Sequence, residues 1–165
     1  MKKYELTAEF IEKLGKKLFR IKALISFGSV EAGELGGYVE KEDNLAQDGD
    51  AWVCGNAWVY DNARVYGNAR VCGNAWVCGN ADYLLIGRIG SRFSFTTFFK
   101  NKDKGITVSC GCFLGTIAEF RAKVTDTHGN NKHAKMYNLA ADMAELQILG
   151  EEHFDKLNTN KSEPF

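Results

Sequence analysis

The 165-residue sequence predicts a mainly β protein: a short parallel β-helix of about three coils, capped by an N-terminal α/β segment and followed by a β-hairpin and two helices. Three observations carry this expectation. A six-residue motif recurs between about Val39 and Arg92. Gly-Asn pairs punctuate it at a fixed offset. Beyond it, alternating apolar residues give way to helical spacing. The expected boundaries are 1–37 for the cap, 38–92 for the β-helix, 93–150 for the hairpin with two helices, and 151–165 for a flexible tail.

The N-terminal segment offers Thr7 as a helix cap before Ala8–Leu14, then an extended stretch from Leu18 to Leu24. Gly33, Gly36 and Gly37 punctuate entry into the repeat. Charge is unevenly divided here. Lys2, Lys3, Lys13, Lys16, Lys17, Arg20 and Lys22 precede an acidic run of Glu31, Glu34, Glu40, Glu42, Asp43, Asp48 and Asp50. The simplest expectation is that the two runs pack near each other.

The repeat is clearest in Ala51-Trp52-Val53-Cys54-Gly55-Asn56 and the four hexads that follow it, ending at Asn80. Side chains on a strand alternate between faces, so Ala and Val of each hexad point inward and their neighbours outward. Gly-Asn supplies residues that tolerate a left-handed corner. Three strand-and-corner units close a coil of about 18 residues, and about nine hexads, counting weaker copies from Asp43-Asn44 to Ala81, Tyr83, Gly87 and Ile89, stack about 14 Å high. A core of Ala and Val is too narrow to hold a ligand.

Residues 18 apart then share an outer side. Trp52 and Cys54 lie over Arg70 and Cys72; Trp58 and Tyr60 over Trp76 and Cys78; Arg64 and Tyr66 over Asp82 and Leu84. The second side is the most apolar, so either a flanking segment covers it or it is a contact surface. Trp, Tyr and Arg dominate interface hot spots. Trp52, Trp58, Tyr60, Arg64, Tyr66, Arg70 and Trp76 are therefore the candidate binding residues, and Arg64 is placed to pair with Asp82. Cys54 and Cys72 fall within disulfide range. An odd count of 5 cysteines, spaced by the repeat, instead favours free thiols in a reducing, intracellular setting.

After the repeat, Phe93, Phe95, Thr97 and Phe99 alternate, as do Ile106, Val108, Cys110 and Cys112, with a turn cluster over residues 101–105. This predicts a β-hairpin. Thr116-Ile117-Ala118-Glu119 is a capping box, with Ile117, Phe120 and Val124 on one face of the helix it opens. Asn131 opens a longer helix with Met136, Leu139, Ala140, Met143 and Leu146 on one side, ending near Gly150.

The hexads, with Lys3-Tyr4-Glu5-Leu6-Thr7, Gly36-Gly37-Tyr38-Val39 and Cys110-Gly111-Cys112-Phe113, resemble hexapeptide-repeat proteins of bacteria, phages and prophages that carry a transferase label. The resemblance covers roughly residues 3–145 and implies a left-handed β-helix and a homo-oligomer, with a trimer favoured. The residue after Val departs from the family pattern: it is Cys54, Tyr60, Tyr66, Cys72 or Cys78.

Function is bounded mainly by what is missing from the pattern. Lys plus Arg, at 21, equals Asp plus Glu, so neither nucleic acid nor an anionic membrane gains a general electrostatic attraction, and nucleic acid is not expected as a partner. No apolar run is long enough to span a membrane, and no secretory leader is evident, which predicts a cytoplasmic protein. The related acyltransferases use a histidine base on a coil, whereas His128, His133 and His153 all lie outside the hexads. Cys110, Cys112, His128 and His133 suggest zinc, but Cys-x-Cys is short for a finger and both cysteines fit a buried strand face. Arg64, Arg70, Arg88 and Arg92, with aromatic neighbours, suit a nucleotide-like anion. The sequence thus predicts a non-catalytic binding or assembly module without a cofactor, acting through contacts of the outer β-helix surface with a host protein or a small ligand. The phage resemblance implies, as a concrete version of this, an inhibitor or ligand sponge against a host defence system. An acyl-CoA-dependent acyltransferase is the alternative.

Overall fold

The computed structural model describes residues 1–159. The chain opens with a long hairpin of β1 (Tyr4–Lys13) and β2 (Lys16–Ala23). Leu14 and Gly15 join the strands with φ of 54° and 73°, the two successive positive values of a tight hairpin turn. The expected helix over Ala8–Leu14 does not form. Phe10 and Ile11 pair instead with Phe19 and Leu18, and Thr7 donates its hydroxyl to the Arg20 carbonyl at 2.8 Å. The two-residue Leu14-Gly15 turn, not a helix cap at Thr7, sets the local structure here. The basic hairpin does pack on the acidic run: Lys2 contacts Glu42 at 2.7 Å and Lys16 contacts Glu40 at 3.4 Å.

β3 (Leu35–Val39) follows and then lies over the repeat. Gly36 and Gly37 permit this close approach, since a Cβ on Gly36 would stand 2.5 Å from the Val53 carbonyl and one on Gly37 2.8 Å from that of Ala57. The repeat contributes four two-residue strands, β4 (Trp52–Val53), β5 (Trp58–Val59), β6 (Arg70–Val71) and β7 (Trp76–Val77). β4 pairs in parallel with β6, and β5 with both β3 and β7. Ala51, Val53, Ala57, Val59, Ala63, Val65, Ala69, Val71, Ala75 and Val77 are all fully or almost fully buried.

The sheets correct the expected short left-handed parallel β-helix. One is a mixed five-stranded sheet ordered β1-β2-β3-β5-β7, one is the two-stranded β4-β6 pair, and neither closes or continues as a solenoid. The third is antiparallel and four-stranded, built from β8 (Tyr83–Ile89), β9 (Ser94–Lys100), β10 (Ile106–Cys110) and β11 (Phe113–Thr116) in the order β11-β10-β9-β8. The reason is local. Each hexad corner stops its strand after two residues, whereas the flanking alternations run long enough to form hairpins. The helical turn at Asn80–Asp82 ends the repeat, so Tyr83 to Ile89 belong to the antiparallel sheet rather than to further hexads.

β9 is central and buried on both faces. Phe99 packs into the hexad core and Phe98 into a second core with Ile106, Val108, Phe120, Val124 and Tyr137. The helical layer comprises α1 (Ile117–His128), α2 (Lys132–Leu149) and α3 (Glu151–Thr159). Thr116 and Glu119 form the capping box that opens α1, and Asn131 caps α2 by accepting the Ala134 N–H at 3.1 Å. The tail expected over 151–165 is helical through Thr159; residues 160–165, with Pro164, lie outside the described residues. No described helix is long and apolar enough to cross a membrane.

Candidate functional site

A polar cleft of about 430 Å³ lies between the repeat and the antiparallel sheet. Its wall from the repeat is Asp50, Asn68 and Arg70; its floor is Ser94, Phe95 and Thr97 of the β9 region with Ser109 of β10; the Gly28-Ser29 loop closes one side. Strand alternation explains the floor. Phe95, Thr97 and Ser109 sit on the face that turns toward the hexads, the same face that sends Phe99 into their core.

Arg70 is the cation of this cleft. Its guanidinium donates to Ser29 Oγ at 2.6 Å and reaches Cys54 Sγ at 4.0 Å. Its backbone N–H donates to Thr97 Oγ1 at 3.1 Å. β6 is thereby fastened to β9 by a hydroxyl where a ladder bond would otherwise run. Asp50 is the one carboxylate on the wall, and Arg88 lies over the Phe95 ring, 5.7 Å from its centroid. A guanidinium with donors to spare, three serine hydroxyls, an amide and an aromatic edge can hold a small polar molecule that carries an anionic group. Among the described residues, no histidine lines the cleft.

The other predicted binding residues are dispersed. Trp52 is fully buried, edge-on to Phe27 and Tyr4 at 5.4 and 6.4 Å, so it is core and out of reach of a partner. Its neighbours come from the N-terminal hairpin and the loop after it, segments that the repeat pattern could not place. Tyr60 is buried under Leu18 and Tyr38, with Ile11, Trp58 and Cys78 around it. Trp58 and Trp76 are half-buried and stacked, beside a shallow groove of about 500 Å³ that includes Asn56, Asn74 and Lys102. The N-terminal hairpin therefore covers one end of the most apolar side and leaves the tryptophans partly open. Arg64 and Tyr66 are exposed on a third surface, with Tyr66 edge-on to Tyr83 at 6.3 Å.

The Arg64–Asp82 pair does not form. Asp82 instead accepts the N–H groups of Cys78 and Gly79 at 3.0 and 3.1 Å and the Cys78 thiol at 3.2 Å. Burial, and then this carboxylate, push the Cys78 thiol up from its ordinary range. Cys54 and Cys72 are joined as a disulfide, with Cα atoms 4.4 Å apart, where free thiols were expected. Cys110 accepts the Thr96 hydroxyl at 3.3 Å, and the rings of His128 and His133 lie 5.5 Å apart on the helical layer. Among the described residues, no group of three or more His, Cys, Asp or Glu side chains is placed to hold a metal.

Ser29, Asp50, Asn68, Thr97 and Ser109 were not anticipated. They come from separate segments, and only the docking of the antiparallel sheet on the hexads brings them together. One signal was readable: Thr96-Thr97 and Ser109 are small polar residues inside otherwise apolar strands, as expected where a strand face meets a polar space. No protein-family model and no curated protein matches the chain.

Proposed function

We propose that the protein is a non-catalytic binding module that takes a small, anion-bearing, nucleotide-like molecule in the Arg70 cleft. The observation that carries the reading is Arg70 itself, held by Ser29 and Thr97 over a cleft of about 430 Å³ that also offers Asp50, Asn68 and the Phe95 ring. The volume suits a small ligand. A planar guanidinium fork suits phosphate better than a lysine would. Hydroxyls and one carboxylate suit a sugar, and an aromatic edge suits an apolar ring. Sequestering such a molecule, as an inhibitor or ligand sponge does, requires only this retention.

Titration calorimetry with adenosine and guanosine monophosphates, and with inorganic phosphate alone, tests the reading. Saturable binding of a nucleotide to the wild type, lost in Arg70→Ala and kept in Arg64→Ala, supports it. Absence of saturable binding by every probe, together with no retained small molecule in native mass spectra from expressing cells, overturns it. Binding of coenzyme A coupled to acyl transfer that depends on His128 or His133 would replace it with the acyltransferase reading.

A further inference from the structure

The strongest apolar stripe in the sequence of α2 faces outward. Its buried face is instead Ala134, Tyr137, Ala140, Ala141, Ala144 and Glu145, mostly small residues that let the helix lie close to the antiparallel sheet. Met136, Leu139, Met143 and Leu146 are 37, 66, 54 and 43 % exposed. Four large apolar side chains in one line are an uncommon cost for a surface helix to carry.

Their spacing is specific. Steps of three, four and three residues are the a and d positions of a heptad, the seam by which one helix packs on another. The line runs about 15 Å along the helix. Ala140 and Gln147 border it on one side and Lys135 and Asp142 on the other, so small or polar residues flank an apolar centre. A flat sheet or a lipid surface does not need this period; a second helix of the same period does.

Charge selects the partner and its direction. Lys132 and Lys135 are exposed in the first turn of α2, and Glu151 and Glu152 are exposed just beyond its last turn, Glu152 also meeting Lys156 of its own chain at 3.0 Å. An antiparallel copy of the same helix sets the lysines of each chain against the glutamates of the other, twice by symmetry, and opposes the two helix dipoles. In that register Met136 meets Leu146, and Leu139 meets Met143. A parallel copy sets lysine against lysine.

We infer that α2 is a self-association surface, through which two copies of this chain form an antiparallel, two-fold dimer. The seam is short, well under the area of a standard interface, so association is weak and depends on concentration. A two-fold pair also differs from the trimer that the family resemblance implies. The inference is independent of the Arg70 cleft, which lies on the opposite side of the antiparallel sheet from the helical layer.

Sedimentation velocity across a wide micromolar range tests it. The expected result is a monomer that converts to a dimer as concentration rises, with Leu139→Glu weakening the dimer by about tenfold or more while circular dichroism stays unchanged. A charge exchange reads the direction. Lys132→Glu with Lys135→Glu weakens self-association, as does Glu151→Lys with Glu152→Lys, and mixing the two variants restores dimer. A monomer at all concentrations, a trimer, a dimer indifferent to Leu139→Glu, or a mixture that fails to recover would each overturn the inference.

Discussion

Trp58 and Trp76 lie face to face, with ring centroids 4.6 Å apart and planes 10° from parallel. They are in register on adjacent parallel strands, one residue before the Val59–Val77 pair, whose side chains turn inward to the core. Each indole thus shields the other where neither is fully covered. Removing one exposes the other and opens the shallow groove beside it. Trp76→Ala is expected to cost about 2 kcal/mol, below the loss for a fully buried aromatic. Urea unfolding of Trp58→Ala, Trp76→Ala and the double variant measures it. The double loss should be smaller than the sum of the singles, because each single change already breaks the stack.

The cysteines give a direct count. With Cys54 and Cys72 joined, and Cys78, Cys110 and Cys112 free, thiol titration in denaturant should find three thiols per chain before reduction and five after it. The bond closes a separation of 18 residues, for which chain entropy predicts about 3 kcal/mol of stability. Cys54→Ser with Cys72→Ser should lower the urea midpoint accordingly. Five thiols before reduction would remove the bond from the account.

Corner glycines should not be equivalent. Gly49, Gly55, Gly67 and Gly73 all have φ between 65° and 69°, which costs an alanine about 1 kcal/mol at each. Their surroundings then differ. A Cβ on Gly49 would stand 2.9 Å from the Gly67 carbonyl and one on Gly55 3.0 Å from the Gly73 nitrogen, both backbone atoms. At Gly67 and Gly73 the nearest atoms are leucine methyl groups at 3.6 and 3.5 Å. Alanine at 49 and 55 should therefore destabilise more than alanine at 67 and 73, as measured by thermal midpoints. Asp61 holds the same corner with φ of 52° while reaching Lys16 at 2.6 Å. Asp61→Gly exchanges a partly exposed ion pair, worth little, for a relaxed backbone and should be close to neutral.

These residues also mark how far the sequence could be read. Inward Ala and Val of the hexads were legible, because period two leaves no other face for them, and all are buried. So were the capping box at Thr116 and the cap at Asn131, which are short-range signals. The architecture was not. Two-residue strands carry little pairing energy of their own, and the longer β1–β2 and β8–β11 strands, whose partners are set by turns such as Leu14-Gly15, decide the sheets. For the cleft, Arg70 was legible as an outward cation. Its partners Ser29 and Thr97 are 41 and 27 residues away, and no periodicity links them. On α2 the apolar stripe was legible but its direction was not, because small alanines made the better fit against the sheet.

Alkaline titration offers a test that spans the whole molecule. Burial pushes the Tyr60 hydroxyl up to about 12, with the Cys78 thiol as the next cause. Tyr4, Tyr83 and Tyr137 are also raised, each mainly by burial. In the unfolded chain a tyrosine ionises near about 10. Below that value both states hold the proton and the contribution to stability is complete. Above it the unfolded state loses protons that the folded state keeps, so stability falls as pH rises toward the folded values, by about 1.4 kcal/mol per unit for each such group. Lys3 acts in the other direction. It is buried against the Ala51 carbonyl at 2.8 Å, and desolvation lowers its amine below the usual lysine range. Its contribution therefore rises with pH between its lowered folded value and its unfolded one. Four tyrosines outweigh one lysine, and the urea midpoint should decline steeply above about pH 10. Tyr60→Phe should flatten that decline by roughly one group's share. A midpoint that holds level to about pH 12 would show that these hydroxyls meet solvent in the folded chain.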